Sequence, residues 1–252
     1  MPVEVARKLR ELSVGAVLRK ARDVIGVVPQ PMDQRCAPLT SLSAHAISPE
    51  VDLEESLDAN PFLLSGPVSA SDIHVSFQEP RVRTLVLVVD TSLSMTGPKL
   101  ALTAVALAVV LLQFPQYRIG IVAFENVPTV IQDPAQAFSL KEVIERFLDV
   151  PGEGYTDLEA ALKSALVFGS GGGPGRSATL LLTDGKYTAG RDPCYLAPQF
   201  HTLSIVKMGH DRASNDFCER LAVAGRGEIR RLAEIEELPP MMYSLVKALF
   251  RG

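Results

Sequence analysis

The sequence predicts an α/β protein with a doubly wound, mostly parallel six-stranded sheet, a Rossmann-like arrangement with one short antiparallel edge strand. Residues 85–89 are five consecutive Leu and Val residues, and residues 180–182 are three leucines. Each run is followed within two residues by an aspartate, which is typical of strands buried on both faces of a parallel sheet. Helix-like segments separate successive strands, and such repeated β-α units favour helices on both faces of the sheet.

The first 80 residues are expected to form a helical and extended flank. Residues 1–35 carry seven Lys and Arg against four acidic residues. Apolar residues spaced by four, three and four positions predict a basic amphipathic helix here. The expected apolar face comprises Val5, Leu9, Leu12 and Ala16.

The rest of the flank changes in composition. Residues 29–49 are rich in Pro, Ser and Ala, which predicts a linker or an extended wrap. Residues 36–80 contain seven acidic residues and no Lys or Arg, with an acidic segment at 50–57. Apolar residues then alternate with polar ones over residues 73–77, which predicts an edge strand that enters the main domain.

Residues 81–252 are predicted to form that main domain. The predicted strands are 85–90, 117–124, 128–132, 178–184, 202–206 and 228–230. The strand at 128–132 follows its predecessor closely enough to be its antiparallel partner at a sheet edge. The predicted helices are 97–112, 140–148, 158–168, 218–223 and 242–250.

Composition argues against several classes of protein. The formal net charge of −4 disfavours a nucleic-acid-binding protein. The longest apolar block, residues 100–112, is shorter than the roughly 20 residues that cross a bilayer, so we expect a buried helix and no membrane contact. Residues 1–4 lead into a charged segment rather than an apolar one, and the three cysteines show no zinc-ligand spacing. We therefore expect a cytoplasmic protein with reduced thiols.

Oxygen-bearing side chains follow three predicted elements that meet at the carboxyl edge of the sheet. Ligands of open α/β sheets bind at this edge. These side chains belong to Asp90, Ser92, Ser94, Thr156 and Asp184. Hydroxyls and carboxylates without thiol or imidazole suit Mg²⁺ or Mn²⁺ and disfavour zinc. A structural alternative is that Asp90 and Ser92 cap a turn, and that Thr156 caps the helix that begins near residue 158.

The segment 81–252 resembles the von Willebrand factor type A family and its metal-ion-dependent adhesion site. The motif elements are Asp-Thr-Ser-Leu-Ser at 90–94, Thr156 within Gly-Tyr-Thr-Asp, and Thr-Asp-Gly at 183–185. The resemblance implies that Ser92 and Ser94 bind the cation directly, and that the two aspartates and Thr156 bind it directly or through water. Many relatives have glycine where this chain has Leu93, which would put an apolar group on the contact surface.

The family implies a function in binding rather than in catalysis. Its site leaves one coordination position for an Asp or Glu of a partner protein, so the resemblance implies a metal-dependent protein–protein interaction module and not an enzyme. The chain looks like the prokaryotic cytoplasmic members that work with AAA+ ATPases of the MoxR and magnesium-chelatase type, which makes an ATPase of this kind an expected partner.

The alternative hypothesis is a Mg²⁺-dependent phosphohydrolase in which Asp90 is the nucleophile. Such enzymes also place an aspartate at the end of a strand. Hydrolases of the haloacid dehalogenase type have a second Asp two residues later, where this chain has Ser92. Lys186 is a weak candidate for a phosphate-binding lysine.

Overall fold

The computed structural model describes residues 3–24, 32–42, 46–80, 83–151, 154–169, 177–209, 212–232 and 234–249. The chain divides into two units, one of Pro29–Val82 and a larger one of Met1–Val28 with Arg83–Gly252. The N-terminal helix therefore belongs to the same unit as the main domain. The sequence instead predicts that it is part of a flank of residues 1–80. Residues 81 and 82, at the expected boundary, lie outside the described residues.

The described strands and helices follow one another along both units. The strands are β1 (Met32–Pro38), β2 (Ile47–Asp52), β3 (His74–Pro80), β4 (Thr84–Asp90), β5 (Arg118–Phe124), β6 (Pro128–Gln132), β7 (Ser177–Thr183), β8 (Leu203–Met208) and β9 (Arg226–Leu232). The helices are α1 (Val3–Val24), α2 (Leu53–Ala59), α3 (Pro98–Gln113), α4 (Leu140–Leu148), α5 (Leu158–Gly169), α6 (Arg212–Ala224) and α7 (Leu238–Leu249).

The larger unit contains the six-stranded sheet that the sequence predicts. Its strand order is β6-β5-β4-β7-β8-β9. All neighbouring pairs are parallel except β5 and β6, which pair antiparallel at one edge. The predicted fold class is confirmed, and β4 and β7, the two strands that precede the candidate aspartates, lie side by side in the middle of the sheet.

Alternate residues of each central strand face two separate apolar cores. On β4, Leu85, Leu87 and Val89 pack with α1, α3, α4 and α7, while Val86 and Val88 pack with α5 and α6. All five side chains are fully buried. Burial on both faces explains why the strand has no polar alternation.

Helix α3 is the apolar block that the sequence predicts to be a buried helix. Residues 103–110 of this helix are all buried. Pro98 occupies the first helical turn, where its missing N–H costs no hydrogen bond. Within the described ranges, every helix is too short or too polar to span a bilayer.

The buried face of α1 differs from the expected one. Val14, Val17 and Ala21 are buried in the core that α3 and α7 share. Leu12 and Ala16 are exposed, so their predicted place on the apolar face was wrong. The side chains of Val5 and Leu9 lie outside the described residues. The four-three-four spacing was ambiguous because α1 carries a second apolar row, at positions 14, 17 and 21.

The smaller unit contains a sheet, of which β1 and the start of β2 lie where the sequence predicts a linker or an extended wrap. Its strand order is β1-β3-β2, and both pairs are antiparallel. The strand predicted at residues 73–77 is the central strand of this sheet and not an edge strand of the main one, so that prediction was wrong. Ser56 of α2 is buried and accepts a hydrogen bond of 2.8 Å from the backbone N–H of His74.

The packing of α1 can be tested with a matched pair of variants. Val17 is 6% exposed and Leu12 is 68% exposed. Val17→Ala should lower the free energy of unfolding by about 1–3 kcal/mol because it leaves a cavity against α3. Leu12→Ala should change it by less than about 0.5 kcal/mol. Urea unfolding measures both, and equal effects would contradict the observed packing.

Candidate metal centre

The loop that leaves β4 is fixed to the end of β5. Both the backbone N–H and the hydroxyl of Thr91 donate to the carbonyl oxygen of Phe124, over 2.8 and 3.0 Å. Asp90 is therefore the last residue of the strand, and the chain turns directly after it. Its side chain is fully buried at the carboxyl edge of the sheet.

The Asp90 carboxylate is satisfied by protein groups on both oxygens. The backbone N–H of Ser92 donates to Oδ1 over 2.9 Å, and the hydroxyl of Thr183 donates to Oδ2 over 2.9 Å. Burial raises the pKa of Asp90, and the nearby charge of Asp184 raises it further. The hydrogen bonds from Ser92 and Thr183 lower this pKa, but they do not offset the effect of burial. Such a site favours a cation, because a positive charge there would stabilise both carboxylates.

Ser92 and Ser94 bring two hydroxyls together beside Asp90. Their Oγ atoms lie 3.1 Å apart across a short 3₁₀ turn, Leu93–Met95. Met95 anchors this turn because its side chain is 1% exposed and packs in the core. Ser92 occupies the N-cap position of the turn, but its side chain makes no cap hydrogen bond, and α3 begins after Gly97. The structural alternative is therefore wrong for Ser92 but holds for Asp90, whose Oδ1 accepts a hydrogen bond from the backbone N–H two residues later.

Asp184 reaches the same edge of the sheet from β7. The hydroxyl of Thr183 accepts a hydrogen bond of 3.0 Å from the backbone N–H of Gly185, and Asp184 Oδ1 accepts one of 3.0 Å from the backbone N–H of Lys186. Gly185 has φ of +77°, and a Cβ atom there would lie 2.8 Å from the sulfur of Cys218. Glycine is thus required for the turn that presents Asp184.

Thr156 lies in a loop that is tied to two elements of this edge. Its backbone N–H donates to Thr188 Oγ1 over 2.9 Å, and its carbonyl accepts from the backbone of Thr188 and Ala189. The next residue, Asp157, donates its backbone N–H to the carbonyl of Glu125 over 2.7 Å. Asp157 also accepts from the backbone N–H of residue 160, so Asp157 rather than Thr156 caps α5. The structural alternative for Thr156 is therefore wrong.

Glu159 fastens the segment after Asp184 to α5. Its carboxylate accepts hydrogen bonds from Lys163 Nζ, from the hydroxyl of Tyr195 and from the backbone N–H of Arg191. These bonds, led by the one from Lys163, lower the pKa of Glu159 from 4.5 to about 2. As long as it is ionised, Glu159 therefore links α5, which follows Thr156, to the segment that follows Asp184.

Two carboxylates and three hydroxyls are the side-chain donors that the sequence places at this site. Asp90, Ser92, Thr156 and Asp184 are each at most 9% exposed, whereas Ser94 is exposed. In the part of the chain that the structure describes, no group of three or more His, Cys, Asp or Glu side chains could hold a metal ion. A cation at this edge would therefore depend on hydroxyl ligands, which suits a hard ion that retains water.

Three further residues around the site could not be recognised from the motif. Thr183 bridges Asp90 and Gly185, Glu159 anchors the loops, and Lys207 is fully buried at the end of β8. Lys207 Nζ donates to the carbonyl oxygens of Met208 and Gly209, and its backbone pairs with Thr183. Thr183 lies next to Asp184 in the sequence and so could have been considered, whereas Glu159 and Lys207 carry no local signal.

Comparison with known proteins gives one family match. Residues 85–186 match the model of the von Willebrand factor type A domain, which includes all five candidate ligands. No curated protein sequence matches the chain.

Several solved structures have a similar fold at low sequence identity. A von Willebrand factor type A structure from Catenulispora acidiphila is 14% identical, with a TM-score of 0.55, and the match covers 87% of this chain and 50% of that one. An aerotolerance-related membrane protein from Bacteroides fragilis is 13% identical, with a TM-score of 0.52 and coverage of 66% and 99%. Proximal thread matrix protein 1 from the mussel byssus, with a zinc-occupied MIDAS motif, is 15% identical, with a TM-score of 0.53 and coverage of 66% and 48%.

Metal binding can be tested by thermal unfolding. A cation that binds only the folded state at a concentration of 100 Kd stabilises it by about 2.7 kcal/mol. Mg²⁺ should therefore raise the Tm of the wild-type protein. Ser94→Ala should reduce this shift because it removes a ligand, and Ser244→Ala, which removes an exposed hydroxyl on α7, should keep it. Equal shifts in the two variants would contradict the ligand assignment.

The anchoring role of Glu159 predicts a dependence of stability on pH. Because the pKa of Glu159 is about 2 in the folded state and 4.5 otherwise, its contribution is complete above about pH 4.5 and is lost as the pH falls towards 2. Glu159→Gln should be less stable at neutral pH and should lose less stability over this acid range. Glu145→Gln is the control, since Glu145 makes a surface ion pair with Lys141 over 3.7 Å. Urea unfolding at several pH values measures the effect, and parallel curves for wild type and Glu159→Gln would contradict it.

Proposed function

We propose that this chain, whose larger unit has the von Willebrand factor type A fold, is a metal-dependent protein-interaction module. In this proposal, Asp90, Ser92, Ser94, Thr156 and Asp184 form a metal-ion-dependent adhesion site. The cation binds at the carboxyl edge of the sheet, and an Asp or Glu of a partner protein completes its coordination.

One observation carries the proposal, namely that two buried carboxylates adjoin a pair of hydroxyls 3.1 Å apart at one sheet edge. The carboxylates favour a cation, and neutral hydroxyls leave much of its charge uncompensated. A cation held in this way attracts an anionic ligand from outside. The exposure of Ser94 gives such a ligand access from solvent.

Mg²⁺ is the proposed ion, with Mn²⁺ as its close substitute. The candidate donors are all oxygen atoms, and Mg²⁺ prefers oxygen ligands and commonly keeps several waters. Zinc belongs in the same titration, because the mussel byssus protein holds zinc in its MIDAS motif. The metal bound best is the one that raises the Tm at the lowest concentration.

Among the described residues, the phosphohydrolase alternative is supported only by the aspartate at the end of β4. The side chain of Asp90 is fully buried, so a bulky phosphate ester has no direct access to it, whereas a small cation needs only a remaining lone pair of the carboxylate. Ser92 stands where the dehalogenase-type enzymes have their second aspartate, and Lys186 is exposed. A generic phosphate ester with Mg²⁺ tests this alternative, since turnover that Asp90→Asn abolishes would overturn the binding function.

For the partner, a AAA+ ATPase of the MoxR or magnesium-chelatase type is the specific proposal. It rests on the family resemblance alone. In this role the protein acts as a cytoplasmic adaptor between the ATPase and its client.

An affinity experiment tests both the metal-dependent binding and the identity of the partner. Immobilised wild-type protein should retain its partner in Mg²⁺ and release it in EDTA. Ser94→Ala should retain at least tenfold less, a loss of about 1.4 kcal/mol of binding free energy, and Ser244→Ala should behave as wild type. Mass spectrometry then identifies whether the retained protein is an ATPase. Retention that is independent of the metal would contradict the proposed function.

A further inference from the structure

The surface beside the candidate ligands carries two exposed apolar side chains. Leu93 lies between Ser92 and Ser94 in the sequence, and Tyr155 directly precedes Thr156. Leu93 is 62% exposed and Tyr155 is 65% exposed. Consecutive Cα atoms are about 3.8 Å apart, so both side chains lie next to a residue of the proposed metal shell.

The local structure explains why these two residues point outward. In the 3₁₀ turn after β4, Met95 occupies the core position and Ser94 approaches Ser92, which leaves Leu93 on the outside. In the other loop, the backbone of Thr156 is bonded to Thr188. Neither Leu93 nor Tyr155 contributes to the two apolar cores of the larger unit.

We propose that Leu93 and Tyr155 determine which acidic residue the site accepts, namely a carboxylate whose neighbour in the partner chain is apolar. This inference rests on the proposed function, because the carboxylate is the group that binds the metal. An apolar neighbour would bury its surface against Leu93 and Tyr155. A glycine in place of Leu93 would offer no such surface.

A preference for a second acidic residue beside the carboxylate also has a physical basis, so the test must distinguish it from a preference for an apolar neighbour. Lys99 Nζ donates to the carbonyl oxygen of Ser94 over 3.0 Å, and Lys186 follows the Asp184-Gly185 turn. These lysines would attract a run of acidic residues. The structure favours the apolar neighbour because Leu93 and Tyr155 are each next in sequence to a candidate ligand, whereas Lys186 is two residues from Asp184 and the Lys99 ammonium is held at the Ser94 carbonyl.

The experiment uses the full chain in Mg²⁺ and an array of short peptides in a Gly-Ser background. Each peptide carries one central aspartate, whose neighbour is leucine, serine or a second aspartate. The leucine peptides should bind about tenfold more tightly than the serine peptides, the effect of burying roughly 60 Å² of apolar surface. Leu93→Gly and Tyr155→Ser should each reduce this preference and keep the Tm shift by Mg²⁺. Val223→Ala, which removes an exposed side chain near the end of α6, should leave both unchanged.

The outcomes separate this inference from the proposed function. Mg²⁺-dependent binding without a preference for leucine, or with a preference for the second aspartate, would overturn the inference and leave the metal-dependent module intact. A preference that survives in both Leu93→Gly and Tyr155→Ser would also overturn it. If Mg²⁺ raises the Tm but no aspartate peptide binds in a Mg²⁺-dependent manner, the proposed function fails and the inference fails with it.

Discussion

The hydrogen bonds to the buried carboxylate of Asp90 are the constraint on which the rest of the site depends. A carboxylate removed from water is costly unless other groups satisfy its oxygens. Ser92 supplies a backbone N–H from the next turn, and Thr183 supplies a hydroxyl from the adjacent strand β7. These two bonds require β4 and β7 to end at the same level. The same alignment brings Asp184 close enough to raise the pKa of Asp90.

The parallel sheet makes this convergence possible because it directs the exits of β4, β5 and β7 to one edge. Three contacts then fix loops at this edge: Thr91 binds the end of β5, Gly185 fits against Cys218, and Glu159 ties α5 to Arg191 and Tyr195. These contacts hold the loops before any ligand arrives. A preorganised shell of this kind loses little conformational entropy when it binds a cation or a partner.

If the candidate residues bind a metal, the surface around them has a separate role in specificity. The cation would supply affinity for any accessible carboxylate, so it could not by itself distinguish one acidic partner from another. Selection would have to come from the residues that surround it. Leu93 and Tyr155 can vary without altering the ligand set, because their side chains lie outside both cores and neither is among the candidate ligands.

Periodicity and composition were sufficient for the main sheet. The apolar runs at 85–89 and 180–182 identified its central strands, because burial on both faces leaves no place for polar residues. The short segment at 128–132 was correctly assigned as the antiparallel edge. Asp90 and Asp184 could be chosen from the sequence because strand ends in a parallel sheet share one edge, whereas Thr156 lies between two helices and was matched through the family resemblance. The role of all five residues as ligands stays a prediction.

Tertiary contacts decided the remainder. The packing of α3 and α7 selected the row of Val14, Val17 and Ala21 on α1, although Leu12 and Ala16 fit a helical spacing equally well. Pairing among residues distant in sequence formed the sheet in the smaller unit, where composition alone favoured a linker or an extended wrap over residues 29–49. Glu159 bonds to Arg191 and Tyr195, which are distant from it in sequence. Lys207 is buried because β8 pairs with β7 inside the sheet. The sequence by itself thus determined which segments are buried and which residues could bind a metal, because those properties depend on local pattern, whereas only the folded chain decided which faces meet and how the loops are held.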